Sequence, residues 1–346
     1  MRFEQPVGIA SAAVWLPPDR SAAADAVEQR DIREGQAREL AHPALPDAGD
    51  IGAPDMAVHA ARAALRAAGA GAEHVGSVFH AWMYYQGHDL WSPAHYIAGR
   101  LGAAHALPIG IQQVCNGGAT AVELSAVRLA AADAKEYGLV TTADRFVAPG
   151  FNRWTADYGV AYGDGGTALL LHASPEAADP LLLHAVSTVA VPELEEMHRG
   201  DDPFADAART HRDTVDMRAT KRAYLRRHGR EGFAATNERC VREVATEALR
   251  EAGLRPGDDR IRCAVLPRFG AKTLQDSWIP ILTEVIGAEL EDWGRETGHL
   301  GAGDAVAGVA ELYRRRHLRP GEYALVFSAG AGFTWSCLVV QAPHES

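Results

Sequence analysis

Short apolar runs recur at residues 7–16, 75–82, 138–142 and 167–171, and stretches with helical spacing lie between them at 56–68, 94–101 and 118–135. After Pro180 the rhythm repeats. Apolar runs at 181–191, 262–266, 323–328 and 333–341 alternate with helical patterns at 210–252, 274–286 and 304–315. Strands that alternate with helices predict the α/β class, with sheets covered by helices and functional loops at strand ends. The likeness between the two series predicts two similar halves, residues 1–178 and 179–346. The 118–132 stretch is rich in Ala and small apolar residues, which suits a helix buried on all sides between two sheets.

Composition narrows the class. A chain of 346 residues with 47% hydrophobic and 23% charged residues is an ordinary globular protein, too long for one small core. A formal charge of −11 argues against a general nucleic-acid binder, which would carry a basic face. No run is apolar for long enough to span a membrane, and the first residues lack the charged-then-apolar layout of a secretion signal. The four cysteines, Cys115, Cys240, Cys263 and Cys337, form no CxxC pair, so neither a zinc site nor a disulfide framework is expected. Free thiols fit the cytoplasm.

One segment breaks the pattern. An insertion at about 193–235 is dense in charge, with Glu193, Glu195, Glu196, Asp201 and Asp202 followed by Arg209, Arg212, Arg218, Lys221 and Arg222. A solvated face is the ordinary reading of such a run. A substrate-covering lid is the other, since long polar insertions in compact domains are often functional.

The candidate chemistry begins at Cys115. In Ile111-Gln112-Gln113-Val114-Cys115-Asn116-Gly117-Gly118-Ala119 a strand-like run breaks at the cysteine and passes into a helical pattern. A thiol at a helix entrance feels the positive end of the peptide dipoles, which stabilise negative charge on sulfur. A small buried core cysteine is the competing reading. In Thr297-Gly298-His299-Leu300-Gly301-Ala302-Gly303-Asp304, His299 is a candidate base and Asp304 its orienting carboxylate, although Asp304 also stands where it would cap the following helix. The turn in Phe327-Ser328-Ala329-Gly330-Ala331-Gly332-Phe333-Thr334-Trp335 allows close backbone approach, so amides near Ala331 join that of Cys115 as a candidate oxyanion hole, with a plain glycine hairpin as the alternative. Tyr162-Gly163-Asp164-Gly165-Gly166 lacks the spacing of a phosphate loop and reads as a structural turn.

Taken in order, these four motifs resemble the ketoacyl-ACP synthase III branch of the thiolase superfamily over nearly the whole chain. The resemblance implies a five-layered αβαβα fold of two pseudo-symmetric halves, a homodimer, no permanently bound cofactor, and a cysteine loaded from acyl-CoA or an acyl carrier protein. It also exposes departures. The condensing members carry a Cys-His-Asn set, whereas this chain has Leu266-Pro267-Arg268-Phe269-Gly270 where their first His would stand and His299 where they have Asn. Cys115, His299 and Asp304 instead resemble the triad of a subgroup that transfers acyl groups in antibiotic biosynthesis, typified by the malonyl transferase of cervimycin assembly. That likeness implies transfer of a malonyl-type group to a hydroxyl of a glycoside or polyketide. Arg153 and Trp154 are candidates for contact with a carboxylate or phosphopantetheine, and Arg268 for a malonyl carboxylate. A decarboxylative condensing enzyme and a non-catalytic partner of an acyl carrier protein are the alternatives.

Overall fold

Twelve strands and the helices between them follow the predicted alternation in a computed structural model, which describes residues 1–131, 137–173, 175 and 179–344. The strands are β1 (Arg2–Trp15), β2 (Asp19–Ala22), β3 (Ala44–Asp47), β4 (Val75–Ala81), β5 (Leu107–Ile111), β6 (Tyr137–Asp144), β7 (Gly165–His172), β8 (Leu181–Ala190), β9 (Ile261–Val265), β10 (Glu289–Glu291), β11 (Tyr323–Gly330) and β12 (Thr334–Gln341). Apart from the separate two-stranded β2–β3 sheet, they are hydrogen-bonded in the order β10-β9-β11-β12-β8-β1-β7-β6-β4-β5. Read outward from the β1–β8 junction, both sides have the same order and the same sense of pairing. The β4–β5 and β4–β6 pairs are parallel, as are β9–β10 and β9–β11, and the remaining pairs are antiparallel. At the junction Val7 lies opposite Leu183 and Ile9 opposite Leu181.

Strands buried on both faces need apolar residues at every position, and β7 and β11 have them. Leu169 and Leu171 face the central core while Ala168 and Leu170 face the core beneath helix Ala53–Ala68. Likewise Ala324 and Val326 face the central core, whereas Leu325 and Phe327 face the core beneath helix Glu231–Glu251. Helices Gly117–Ala131 and Asp304–Arg315 supply Ala119, Ala121, Val122, Val306 and Val309 to that shared central core. Outer helix, half-sheet, paired central helices, half-sheet and outer helix make five layers. The architecture is thiolase-like α/β.

Several boundaries differ from expectation for local reasons. The 210–252 pattern is two helices, Met217–His228 and Glu231–Glu251, parted at Gly229 with φ +75. The 274–286 pattern is also two, Ala271–Ser277 and Ile279–Ile286, parted at Trp278, whose buried ring packs on Phe327 and Phe269. The helix expected to reach residue 135 is described as far as Ala131, and residues 176–178, where the expected division between halves falls, lie outside the described residues. Among the described residues no helix is long and apolar enough to cross a membrane.

The two central helices position the site. Each is entered through a single 3-10 turn, Val114–Asn116 before the first and Gly301–Gly303 before the second. These turns touch, so the loop carrying Cys115 and the loop carrying His299 meet where the halves join. Gly118 permits the approach, because any side chain there would collide with the carbonyl oxygen of Ala302.

Candidate active site

Cys115 stands in the middle of its 3-10 turn, directly ahead of the Gly117–Ala131 helix. The preceding Val114 holds φ +49, a conformation that a β-branched residue rarely adopts and that stores strain where the chain turns the thiol outward. Its sulfur is partly exposed to a cavity and lies 3.8 Å from the sulfur of Met83. The other three cysteines are buried, and burial pushes their thiols up, that of Cys263 to about 12. The geometry therefore separates one accessible thiol at a helix entrance from three inert core thiols.

The base lies beside it. His299 is 1% exposed, and its Nδ1 is 2.7 Å from Asp304 Oδ2. That bond keeps a proton on Nδ1 and leaves Nε2, on the Cys115 side, for proton exchange. Burial by itself would lower the imidazole's proton affinity, but the Asp304 carboxylate and the Cys115 sulfur outweigh it and hold the ring well above its ordinary range. Asp304 feels the same contest, and His299 and Arg268 keep its carboxyl low despite burial. Asp304 does not cap its helix through its side chain. It is the first helical residue, and its Oδ1 accepts instead from the amide of Leu300, 2.9 Å away.

A scaffold fixes the two loops. His299 pairs by backbone with the Tyr162 segment, its amide donating to Ala161 and its carbonyl accepting from Gly163. The ring of Tyr162 packs 5.3 Å from that of His299. Asp144, at the end of β6, accepts from the amides of Met83 and Tyr84 on one oxygen and of Ala302 on the other, at 2.8–2.9 Å. It thus ties the loop touching Cys115 to the loop carrying His299, and Gly301, at φ +61, leaves no room for a side chain against its carboxylate. Burial pushes the Asp144 carboxyl up to about 7 against the pull of those amides. Asp144→Asn would turn an NH2 group toward amide donors, so the variant is expected to lose about 1–3 kcal/mol in denaturant unfolding, together with activity. Unchanged unfolding would count against this clasp.

The cavity is about 260 Å³ and opens on Cys115 and His299. Ala329, Gly330, Ala331 and Phe333 of the 327–335 turn form one wall, so Ala331 and Cys115 border the same space. Gly330 presses on the nucleophile, and a Cβ there would sit 2.7 Å from the amide nitrogen of Asn116 and 3.1 Å from the Cβ of Cys115. A shift of about 1 Å in a reacting group costs on the order of 10²-fold in rate. Gly330→Ala is therefore expected to slow acylation of Cys115 by about that factor, read by quenched-flow mass measurement, and a rate within twofold of the parent would refute the packing argument.

Three other candidates lie outside the cavity. Arg153 is buried and its guanidinium is spent on Asp47, Asp164 and the carbonyl of Pro46. Trp154 is buried, with Nε1 donating to Ser21. Arg268 is 3% exposed, donates its backbone amide to Asp304 and spends its side chain on Thr297 and the carbonyl of Trp293. In this structure these three side chains brace the interior, and the Arg268 amide holds the carboxylate that holds the base. The insertion divides by face. Arg199, Arg226 and Arg227 pair with Glu195, Glu196 and Asp201 in solvent, while Met197, His198, Met217, Lys221, Leu225 and Phe233 line the cavity. Sequence reading missed His198, Lys221 and Asp157 because the first two are hidden in a charge run and the third belongs to no motif.

Known proteins are similar to this chain in sequence and fold. Residues 288–342, which include His299, Asp304 and the 327–335 turn, match the 3-oxoacyl-[acyl-carrier-protein] synthase III C-terminal family. A β-ketoacyl-[acyl-carrier-protein] synthase III of Roseiflexus sp. (strain RS-1) is 27% identical over 83% of this chain and 82% of its own. The solved structure of ChlB3, described as an acyltransferase, is 32% identical and superposes with a TM-score of 0.89 over 98% of both chains. The chain belongs to the ketoacyl-ACP synthase III-like family. The 3-oxoacyl-[acyl-carrier-protein] synthase III from Aquifex aeolicus VF5 shares the fold, with a TM-score of 0.78 at 19% identity over 97% of this chain and 99% of its own. This synthase III-like chain is accordingly a transferase of the acyl-transfer or condensing kind.

Proposed function

We propose that this transferase moves an acyl group from a CoA or acyl carrier protein thioester to Cys115 and from there to a hydroxyl of a glycoside or polyketide, forming an ester in antibiotic assembly. His299 Nε2 takes the thiol proton as the sulfur attacks the thioester carbonyl. Amides of Cys115 and Ala331 hold the oxyanion, the carbon–sulfur bond to the carrier breaks, and the departing thiolate takes the proton back from the imidazolium. In the second half-reaction His299 deprotonates the acceptor hydroxyl, the alkoxide attacks the Cys115 thioester, and the Cys115 sulfur leaves and is reprotonated. Asp304 orients the ring and balances its charge throughout. Loading Cys115 removes the sulfur's share in raising His299, so acylation lowers the ring's proton affinity and readies it as a base.

The observation that carries this reading is the His299–Asp304 bond at 2.7 Å beside a lone accessible thiol, with Arg268 turned away where a condensing enzyme would need a second donor. Decarboxylative condensation calls for a pair of donors around the enolate oxygen. Here Met83 beside Cys115 and Phe269 beside His299 donate nothing, and Tyr162, packed on His299, spends its hydroxyl on Asp157. A homodimer is proposed as well, supported by the open edge of β5 and by exposed Leu107, Leu124 and Val127.

The test is the intact mass of the protein after brief incubation with malonyl-CoA, and separately with neutral acyl-CoAs, followed by a glycoside acceptor. An adduct that keeps its full acyl mass and leaves on adding the acceptor supports ester transfer. An adduct that has lost carbon dioxide, or a carbon–carbon product with a carrier-bound extender, would refute it.

A further inference from the structure

The cavity that starts at Cys115 is walled by apolar side chains, among them Met83, Val160, Met217, Phe233, Phe269 and Trp278, but one patch of its lining is polar. Tyr162, packed on His299, donates its hydroxyl to Asp157 Oδ2 at 3.2 Å. Lys221 Nζ lies 2.5 Å from Asp157 Oδ1, which also accepts from the Tyr158 amide. His198 completes the patch, its ring 5.2 Å from that of Phe333 and its buried Nδ1 without a protein partner. Burial first, and then the Lys221 ammonium, hold this imidazole down to about 3, so it is neutral.

Charge and hydrogen-bond capacity define what the patch accepts. The Lys221 ammonium is already balanced by Asp157, and a second carboxylate there would face the first in a poorly hydrated space. A hydroxyl or carbonyl brings no charge. It would find the remaining N–H groups of Lys221 and the unspent Nδ1 of His198, which donates or accepts according to tautomer. A buried imidazole nitrogen left without a partner is costly unless a ligand satisfies it.

We infer that His198, Lys221 and Asp157 read a neutral hydroxyl or carbonyl on an otherwise apolar acyl group carried as a thioester on Cys115. The inference rests on the acyl-transfer reading and changes one part of it. A malonyl carboxylate finds no uncommitted cation among the described cavity residues, since Lys221 is paired and Arg153 and Arg268 point elsewhere. His198 and Lys221 both come from the insertion, which thereby acts as the specificity-bearing wall of the site.

The test uses the full chain and synthetic pantetheine thioesters, each ω-hydroxyacyl donor from butanoyl to decanoyl set against the unsubstituted acyl of equal length, with malonyl as a third arm. Acylation rates of Cys115 are read by intact mass. At one or more lengths the hydroxylated donor is expected to load at least about tenfold faster than its match, and that ratio is expected to fall toward one in both His198→Leu and Lys221→Gln. Ratios taken within each variant are independent of its overall activity, and the parent's own preference tests the inference without any variant. Fastest loading by malonyl, no preference at any length in the parent, or a preference that survives both substitutions would overturn it. Absence of any Cys115 adduct with all donors would overturn the acyl-transfer reading too, which separates the two failures.

Discussion

Cys115→Ala is expected to form no acyl-enzyme with any donor thioester and to lose turnover by on the order of 10³-fold or more. The fold should persist, because Cys115 lines the cavity and belongs to no hydrophobic core. Cys240→Ala is the matching control. That residue is fully buried on the inner face of the Glu231–Glu251 helix, so its loss should reduce the melting temperature and leave the adduct in place. Intact mass and a thermal melt on both variants separate the outcomes. An adduct surviving in Cys115→Ala would move the nucleophile elsewhere and dismantle the proposed triad.

His299→Ala and Asp304→Asn should each slow transfer from a preloaded enzyme by on the order of 10²- to 10⁴-fold. The two fail for different reasons. Removing the ring removes the base, whereas the carboxamide of the second variant would present an NH2 where both His299 Nδ1 and the Arg268 amide now donate, driving the ring to the wrong tautomer. Stability should separate them further. Because His299 is raised above its ordinary range, its protonated form stabilises the fold fully below that range, and this contribution is lost as the pH rises through the raised value. Taking away the Asp304 charge lowers that value, so the alkaline loss should begin at lower pH in Asp304→Asn and be absent in His299→Ala. Identical stability-against-pH curves for parent and both variants would sink the buried ion pair.

Much of this was legible from the sequence, because the signals were periodic or clustered. Runs such as 167–171 and 323–328 have apolar residues at consecutive positions, which marks strands covered on both faces, whereas the 118–131 helix, expected to be buried on all sides, keeps an exposed face at Leu124, Val127 and Arg128. The Cys115, His299 and 327–335 segments announced themselves through glycines at chain turns. What escaped was side-chain direction. Arg153 and Arg268 are the residue type that grips anions, yet both are committed inward, since a buried loop carbonyl needs a donor as much as a substrate does. Lys221 looked like one charge among many, and only the packing of helix Met217–His228 shows that its inner face differs from its outer one. Asp144 carried no motif at all, because its work is done through backbone amides far away in sequence.

The junction between halves has a consequence for how the protein comes into being. Its nucleophile lies in the stretch before residue 173 and its base in the stretch after 179, and they meet only when the 3-10 turns at Val114–Asn116 and Gly301–Gly303 touch. That contact depends on pairings between distant stretches, β1 with β7 and with β8, which form slowly because long loops must close first. On a ribosome, the first half can acquire its helices and strands well before the second has emerged. Throughout that interval it carries a thiol with no partner to activate it, so reactivity arrives last, as the signature of a finished molecule.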